Sequence, residues 1–147
     1  MQLFGHKNYR NKRIKFGSQD DNEKSFGSTR KWAHDNIVYD YNRFGFRCPN
    51  FKEVDWENSI VVLGCSCTVG IGLAEQDTIT GQITQLTGIP TINLGISGSA
   101  VDHACWNSLI LHNHFPRPKA ILQLWTQIDR YSDITRTGID SYNIHNM

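Results

Sequence analysis

Three short apolar runs recur along the sequence from residue 60 onward, and the segments between them have the periodicity of helices. Residues 60–63 (IVVL) are wholly apolar and mostly β-branched, which is typical of a strand that is buried on both faces. The other two runs are residues 91–94 (TINL) and 120–125 (AILQLW). Strands that alternate with helices form βαβ units, so this pattern predicts a parallel sheet with right-handed crossovers.

The two helical segments have recognisable ends. Asp77 or Thr78 can cap the first helix, and Gly88 followed by Pro90 ends it. A second apolar stripe with helical spacing covers residues 101–109, and the sequence FPRPK ends that helix. Both helices are therefore expected to be short crossovers that connect neighbouring strands.

Composition and charge divide the chain into two parts. Its 147 residues suffice for one domain with a sizeable core, and 39% hydrophobic with 20% charged residues is typical of a globular protein. Residues 1–35 hold eight of the fifteen Lys and Arg but four of the fourteen Asp and Glu, although the net charge is only +1. We therefore predict a basic, irregular N-terminal arm over residues 1–35 and an α/β domain over residues 36–147.

The sequence contains no signal peptide and no stretch of about 18 apolar residues that could cross a membrane. Its four cysteines show no CxxC spacing, so we expect reduced thiols and a cytoplasmic or virion-associated location. Because the basic residues of the arm are spread out, we expect an exposed and partly disordered N-terminus. A protein partner that contacts this arm is the alternative, and binding to a membrane or to nucleic acid is not expected.

All three apolar runs end in polar or glycine-rich turns, where α/β sheets bind their ligands. The first turn, residues 64–72 (GCSCTVGIG), is not a P-loop, because no lysine follows its second glycine. It lacks the third glycine of a dinucleotide fingerprint, and Thr68 stands where a nucleophile elbow requires glycine. Nucleotide binding by some other form of this turn remains an open alternative.

The same turn fits the pattern Gly-Asp-Ser-x-Thr-x-Gly, with Cys65 in place of aspartate, and so resembles the first motif of the SGNH/GDSL hydrolases. Residues 41–47 (YNRFGFR) are similar to the Asn-x-x-Gly-Phe-Arg element that precedes that motif. Residues 93–98 (NLGISG) resemble the second motif, and residues 121–130 (ILQLWTQIDR) stand in degenerate form where the third motif belongs.

This resemblance implies a three-layer, flavodoxin-like α/β sandwich with a parallel sheet, incomplete at the C-terminus of this chain. It implies a serine esterase that acts on a small ester or an acylated carbohydrate through an acyl-serine intermediate. Ser66 would be the nucleophile, and the Ser66 N–H, the Gly98 N–H and the side-chain amide of Gln127 would form the oxyanion hole. No cofactor or metal is expected.

The general base is where the chain departs from the family, whose catalytic histidine belongs to a late Asp-x-x-His motif. No histidine of this sequence has an aspartate three residues before it, and His103 and His145 are the candidates considered in its place. Two explanations stay open: either a longer hydrolase supplies the base, or the chain is an inactive SGNH-like structural or binding protein, such as a component of a phage or viral particle.

Three further features are interpreted as structural. Cys65 and Cys67 are expected to be small buried residues rather than redox or nucleophilic groups. His112 and His114 are expected at the surface, where a helix C-terminus favours positive charge.

Overall fold

The computed structural model describes residues 3–15, 37–126, 130–135 and 138–143. In chain order the strands and α-helices are β1 (Arg13–Lys15), β2 (Val38–Asp40), β3 (Ile60–Gly64), α1 (Ser66–Val69), α2 (Ile79–Thr87), β4 (Thr91–Gly95), α3 (Val101–His114), β5 (Ala120–Gln123), β6 (Arg130–Thr135) and β7 (Gly138–Asn143). Short 3₁₀ turns cover Lys7–Tyr9, Trp56–Asn58 and Glu75–Asp77.

The predicted parallel sheet is confirmed. Its strand order is β4-β3-β5, and both neighbours run parallel to the central strand β3. Val61 of β3 lies level with Ile92 on one side and with Ile121 on the other. The three carboxyl ends therefore meet at one edge of the sheet, with the end of β3 in the middle.

Alternate residues of the central strands face different helices. One face contributes buried side chains to a core that also contains Ala104, Ile110 and Leu111 of α3; the strand residues are Val61, Leu63, Ile92 and Leu94. Asn93 of β4 points to the other face of the sheet, where its side chain donates hydrogen bonds to Thr68 of α1 and Thr80 of α2. Helices thus contact both faces, which explains why β3 is apolar at every position before Gly64.

The helix ends follow the local signals in the sequence. Of the two candidate caps, Thr78 is the N-cap of α2, because its hydroxyl oxygen accepts a hydrogen bond from the Gly81 N–H at 3.0 Å. Gly88 ends α2 in the left-handed conformation, with φ at +69°.

The start of the chain differs from the expected irregular arm. Leu3 is fully buried, and the Phe4 N–H donates to Asn107 Oδ1 of α3 at 2.8 Å. Arg13 pairs with Asp40 as β1 joins β2 in an antiparallel ladder. This packing could not be predicted from the sequence, because single apolar residues among charged ones show no periodicity. The rest of the predicted arm, residues 16–35, lies outside the described residues.

An antiparallel hairpin of β6 and β7 follows the parallel sheet, with Arg130 opposite Asn143 and Thr135 opposite Gly138. Sequence patterns did not predict it, because this segment has few apolar residues and weak alternation. In the described part of the chain, no helix is long and apolar enough to cross a membrane.

Candidate functional site

A sharp turn after β3 presents Ser66 at the centre of the carboxyl edge of the sheet. Cys65 is extended, with φ −97° and ψ −150°, and it is the N-cap of the one-turn helix α1. Gly70 closes that helix in the left-handed conformation and donates its N–H to the Ser66 carbonyl at 3.0 Å. Ser66 is half-buried, so its hydroxyl is not sealed inside the core.

The loop of residues 95–99 lies beside this turn. Gly95 is level with Gly64 in the β3–β4 ladder, and the Ile96 N–H donates to the Gly64 carbonyl at 2.9 Å. The Ser99 hydroxyl donates to the same carbonyl at 3.2 Å. These bonds hold the loop that contains Gly98 next to the chain that enters Ser66.

Two backbone donors at this edge, the N–H groups of Ser66 and Gly98, make no hydrogen bond within the described part of the chain. Backbone N–H groups are strong donors that folded proteins normally pair, so two free donors on adjoining turns suit a developing oxyanion. Gln127, the third predicted donor, lies outside the described residues.

Asn93, the first residue of the second motif, is buried, and its side chain holds the turn that contains Ser66 against the end of β4. Its Nδ2 donates to the Thr68 carbonyl at 2.7 Å, and its Oδ1 accepts the Gly95 N–H at 3.0 Å. The two bonds join α1 to the end of β4. The motif resemblance identified this residue, but only the structure shows what it holds.

Arg47 supports α1 from the other side, a role that sequence reasoning missed. Its guanidinium is buried and donates to the carbonyls of Val69, Gly70 and Leu73, each at 3.0 Å. It also stacks over the Tyr39 ring at 4.4 Å. Burial lowers the pKa of Arg47, partly offset by the nearby tyrosine. Arg47, the last residue of the Asn-x-x-Gly-Phe-Arg element, thus acts as a clamp: its three hydrogen bonds stabilise the turn that follows Ser66.

Cys65 is buried, as predicted, whereas Cys67, which was also expected to be buried, is exposed because it lies on the outer side of the one-turn helix α1. Burial alone would raise the pKa of the Cys65 thiol. The neighbouring polar groups of Thr126, Cys67 and Ser66 outweigh burial and lower that pKa. The Thr126 hydroxyl in turn accepts from Arg130 Nη1 at 3.5 Å. Sequence reasoning had no signal for these contacts.

His103, one of the two candidate bases, is committed elsewhere. It is buried, and its Nε2 lies 2.8 Å from the Phe4 carbonyl, which can only accept, so Nε2 carries the proton. Its Nδ1 is buried with no hydrogen-bond partner among the described residues, and burial lowers the pKa of the ring. The structure therefore does not join His103 to Ser66, while His145 lies outside the described residues.

His112 and His114 are exposed, as predicted, at the far end of α3. Fourteen helical residues span about 21 Å, which separates both rings from the carboxyl edge of the sheet. Within the described ranges, no group of three or more His, Cys, Asp or Glu side chains is arranged to hold a metal ion.

Comparison with known proteins finds a partial structural likeness. No family model and no curated protein matches this sequence. Among solved structures, the chain is similar to AlinE4, an SGNH-hydrolase family esterase, and to a point mutant of that esterase. Both overlaps have 22% identity and a TM-score of 0.37, and they cover 50% of this chain and 42% of the esterase. The chain thus spans less than half the length of these structures, and an overlap of this size does not establish family membership.

Proposed function

We propose that this chain is a serine acyl hydrolase of the SGNH type, with Ser66 as the nucleophile that carries the acyl group. The observation that supports the proposal most strongly is the half-buried Ser66 at the carboxyl end of β3, beside two backbone amides that have no acceptor among the described residues. Attack of the hydroxyl on an ester forms a tetrahedral oxyanion, and the N–H groups of Ser66 and Gly98 stabilise it.

The general base is assigned to His145. Serine needs an adjacent base to react, and the described part of the chain brings no histidine into hydrogen-bond contact with Ser66. His34 and His145 are the two histidines outside the described ranges. Of these, His145 follows β5 in the sequence, on the C-terminal side as in the family, but it lacks the Asp-x-x-His motif of the family's base.

A fluorophosphonate probe tests the nucleophile directly, because it labels only activated serines. Wild-type protein is expected to be labelled at Ser66, and Ser66→Ala is expected to lose both the label and the hydrolysis of p-nitrophenyl acetate. Ser108→Ala, a half-buried serine on α3, is the matched control and retains both. Full hydrolysis by Ser66→Ala would reject Ser66 as the nucleophile.

Two histidine variants, one at the proposed general base and one as its control, test the assignment of the base. His145→Asn is expected to slow labelling by about 100-fold or more, which is the usual contribution of a general base. His34→Asn is the control, since it removes the other histidine outside the described ranges. Equal labelling of the two variants would show that His145 is not the base.

An acylated carbohydrate is the substrate class that we propose. Trp125 follows β5 at the same edge of the sheet, and 76% of its surface is exposed, so its ring offers an apolar platform on which a sugar can stack. Trp125→Ala is expected to raise KM for an acetylated sugar several-fold and to leave KM for p-nitrophenyl acetate unchanged. Equal changes for both substrates would contradict the sugar platform.

A second candidate is an inactive SGNH-like binding or structural protein, for example in a phage or viral particle. The observation that favours it is the bond of His103 to the Phe4 carbonyl, which leaves Ser66 without a base in the described part of the chain. Under this alternative, the basic N-terminal segment contacts a partner protein. Absence of fluorophosphonate labelling in folded wild-type protein would favour this function over the first.

A further inference from the structure

We propose that two copies of this chain pair reversibly through the outer edges of their β5 strands, with Trp125 of each copy in a groove of the other. β5 is an edge strand: within the described ranges it pairs with β3 on one side and with no strand on the other. An unpaired edge of this kind readily accepts a further strand. The pairing goes beyond the proposed esterase and does not depend on it.

The sequence of β5 lacks the features that usually keep two sheet edges apart. Residues 120–126 (AILQLWT) contain no charged residue and no proline. Three apolar side chains along this edge are open to solvent, with 42% of Leu122, 36% of Ile121 and 76% of Trp125 exposed. Leu122 and Ile121 point to opposite faces of the sheet, because successive side chains of a strand alternate. The composition of β5 therefore suits a strand with a neighbour on each side.

The backbone determines the register of such a pair. The Leu124 N–H donates to the Leu63 carbonyl at 2.8 Å, so the even-numbered residues of β5 direct their backbone groups toward β3. The backbone groups of Ile121 and Gln123 therefore face the open edge. An antiparallel pair joins these groups when Ile121 of one copy lies opposite Gln123 of the other. The two-fold axis then passes between the two Leu122 residues, which meet at a non-hydrogen-bonded position where side chains are closest.

The same register brings Trp125 of each copy to a groove in the other copy. The groove has a volume of about 310 Å³ and lies where α3 ends and β5 begins; its lining residues are His112, Arg117, Pro118, Lys119, Ala120 and Ile121. In this register Lys119 lies opposite Trp125 of the second copy, on the same face of the sheet. An indole ring in the groove would contact an apolar floor and the cations of Lys119 and Arg117, which are attracted to aromatic rings.

These features are self-complementary, which identifies a second copy as the occupant of the edge. One chain supplies both the exposed ring and the groove, so a two-fold axis makes the contact twice. The cations at the start of β5 meet an aromatic ring rather than like charges, because antiparallel pairing places the two amino ends apart. Tryptophans that fill pockets are among the residues that contribute most to interfaces. Since the paired edges are short, the interface is small, and we expect the dimer to dissociate on dilution.

Dimer formation has a consequence for the proposed sugar platform, and only this consequence rests on the proposed function. A Trp125 ring that occupies the groove of a second copy cannot also carry a sugar. The platform is therefore open in the monomer and covered in the dimer. An acetylated sugar that stacks on Trp125 is expected to shift the equilibrium toward the monomer.

Sedimentation velocity over a range of protein concentrations tests the dimer. The full chain is expected to change from monomer to dimer as its concentration rises. Leu122→Lys is expected to stay monomeric, because two ammonium groups would meet at the two-fold axis. Trp125→Ala is expected to weaken the dimer by about 10-fold or more. Leu86→Lys is the matched control: Leu86 is 83% exposed on α2, which packs against β4 at the other side of β3, and the variant retains the dimer.

Cysteine crosslinking tests the register without a disruptive substitution. The background is Cys67→Ser with Cys105→Ser, which removes the two exposed thiols. Leu122→Cys is expected to form a covalent dimer on mild oxidation, because the opposed Cα atoms lie about 4.5 Å apart, within the range that a disulfide joins. Gln123→Cys is the control, because its two copies are offset along the strands by more than the ~7 Å that a disulfide can bridge.

Each opposing outcome overturns a stated part of the proposal. A full chain that stays monomeric at every concentration would overturn the pairing and leave the edge to a strand of a different protein. A dimer that both lysine variants retain would show that it forms elsewhere on the surface. Crosslinking of Gln123→Cys without Leu122→Cys would overturn the register, and an unchanged dimer in Trp125→Ala would overturn the groove contact.

The consequence for the sugar platform is measured separately, in Ser66→Ala so that the sugar is not hydrolysed. Glucose pentaacetate is expected to weaken the dimer of this variant. A dimer that the sugar leaves unchanged would count against the platform of the proposed esterase, whereas the pairing of the two edges would stand on sedimentation and crosslinking alone.

Discussion

Gly98 and Gly88 share a left-handed backbone, with φ of +77° and +69°, and at both positions a Cβ atom would meet no heavy atom of the described, non-adjacent residues within 4 Å. Alanine at either position costs about 1 kcal/mol of backbone strain and creates no clash. Gly98→Ala and Gly88→Ala are therefore expected to lose similar stability in urea unfolding. Only Gly98→Ala is expected to slow fluorophosphonate labelling of Ser66, because relief of the strain at this left-handed position would turn the peptide group whose N–H is the proposed oxyanion donor. Equal labelling of both variants would remove Gly98 from the oxyanion hole.

Arg47 is the residue whose loss is expected to damage the turn most. In Arg47→Met the three carbonyls behind α1 lose their donor, and buried acceptors left unpaired in this way cost about 3 kcal/mol or more in total. Arg43 is the matched control, because its guanidinium lies 4.5 Å from the Phe44 ring but is exposed. Arg43→Met is expected to cost less than about 1 kcal/mol. If Arg47→Met and Arg43→Met shifted the urea midpoint equally, the three hydrogen bonds of Arg47 would contribute little to stability.

Sequence reasoning could name candidate site residues in local motifs, and it missed residues whose role depends on distant contacts. The resemblance of two glycine-containing turns to family motifs named Ser66 and Gly98, and their roles stay predictions. Arg47 donates to carbonyls more than twenty residues away, and Thr126, which follows β5, helps to lower the pKa of the Cys65 thiol. Contacts of that kind leave no pattern in a single sequence, because nothing in the spacing records which segments become neighbours.

At the scale of elements, the strands and helices of the parallel sheet could be predicted because their signals lie within a few residues. The cap Thr78 and the stop Gly88 bound α2, and the apolar runs define β3, β4 and β5. The pairs β1–β2 and β6–β7 could not be predicted in this way. A strand of three residues, such as β1, has a single buried side chain, and alternation cannot be read from one position.

The joint between α1 and β4 yields a prediction at this scale. Asn93→Asp keeps the shape and the acceptor for the Gly95 N–H, but it sets a carboxylate oxygen against the Thr68 carbonyl in a buried position. The variant is expected to lose about 2 kcal/mol or more of stability at neutral pH. Asn113→Asp is the matched control, because Asn113 Nδ2 also donates to a backbone carbonyl, at 2.8 Å from Leu109, but is exposed.

The control is expected to cost less than about 1 kcal/mol, mainly from a negative charge near the end of α3. Thermal and urea unfolding measure both variants. A cost for Asn93→Asp as small as that for Asn113→Asp would show that the joint between α1 and β4 contributes little to stability.

For the whole molecule, the described start of the chain joins the α/β body at α3. Phe4 exchanges hydrogen bonds with Asn107, at 2.8 Å and 3.0 Å, and its carbonyl also accepts from His103. Leu3 is buried in the core that contains Val61. Composition and charge predict a basic, irregular arm over residues 1–35, but the few apolar residues at its start are enough to fix the segment that contains them.

The packing of the chain start against α3 makes stability depend on pH. Burial lowers the pKa of His103, and burial together with the charge of His103 lowers that of His6. The folded protein therefore keeps both rings neutral at pH values where the unfolded chain, with ordinary histidine values of about 6.5, takes up protons. The unfolded state binds more protons below that pH, so stability is full above about pH 6.5 and is lost as the pH falls.

His103→Gln tests this coupling, because its side-chain amide can still donate to the Phe4 carbonyl but cannot titrate. Each buried histidine contributes at most about 1.4 kcal/mol per pH unit to the slope of stability against pH. We expect the variant to lose a measurable part of the wild-type slope between about pH 6.5 and 5 in urea unfolding. His112→Gln, at the exposed far end of α3, is the control for removal of a histidine. Since carboxylates contribute equally to all three proteins, a slope for His103→Gln that matches the wild type would show that burial does not hold this ring neutral.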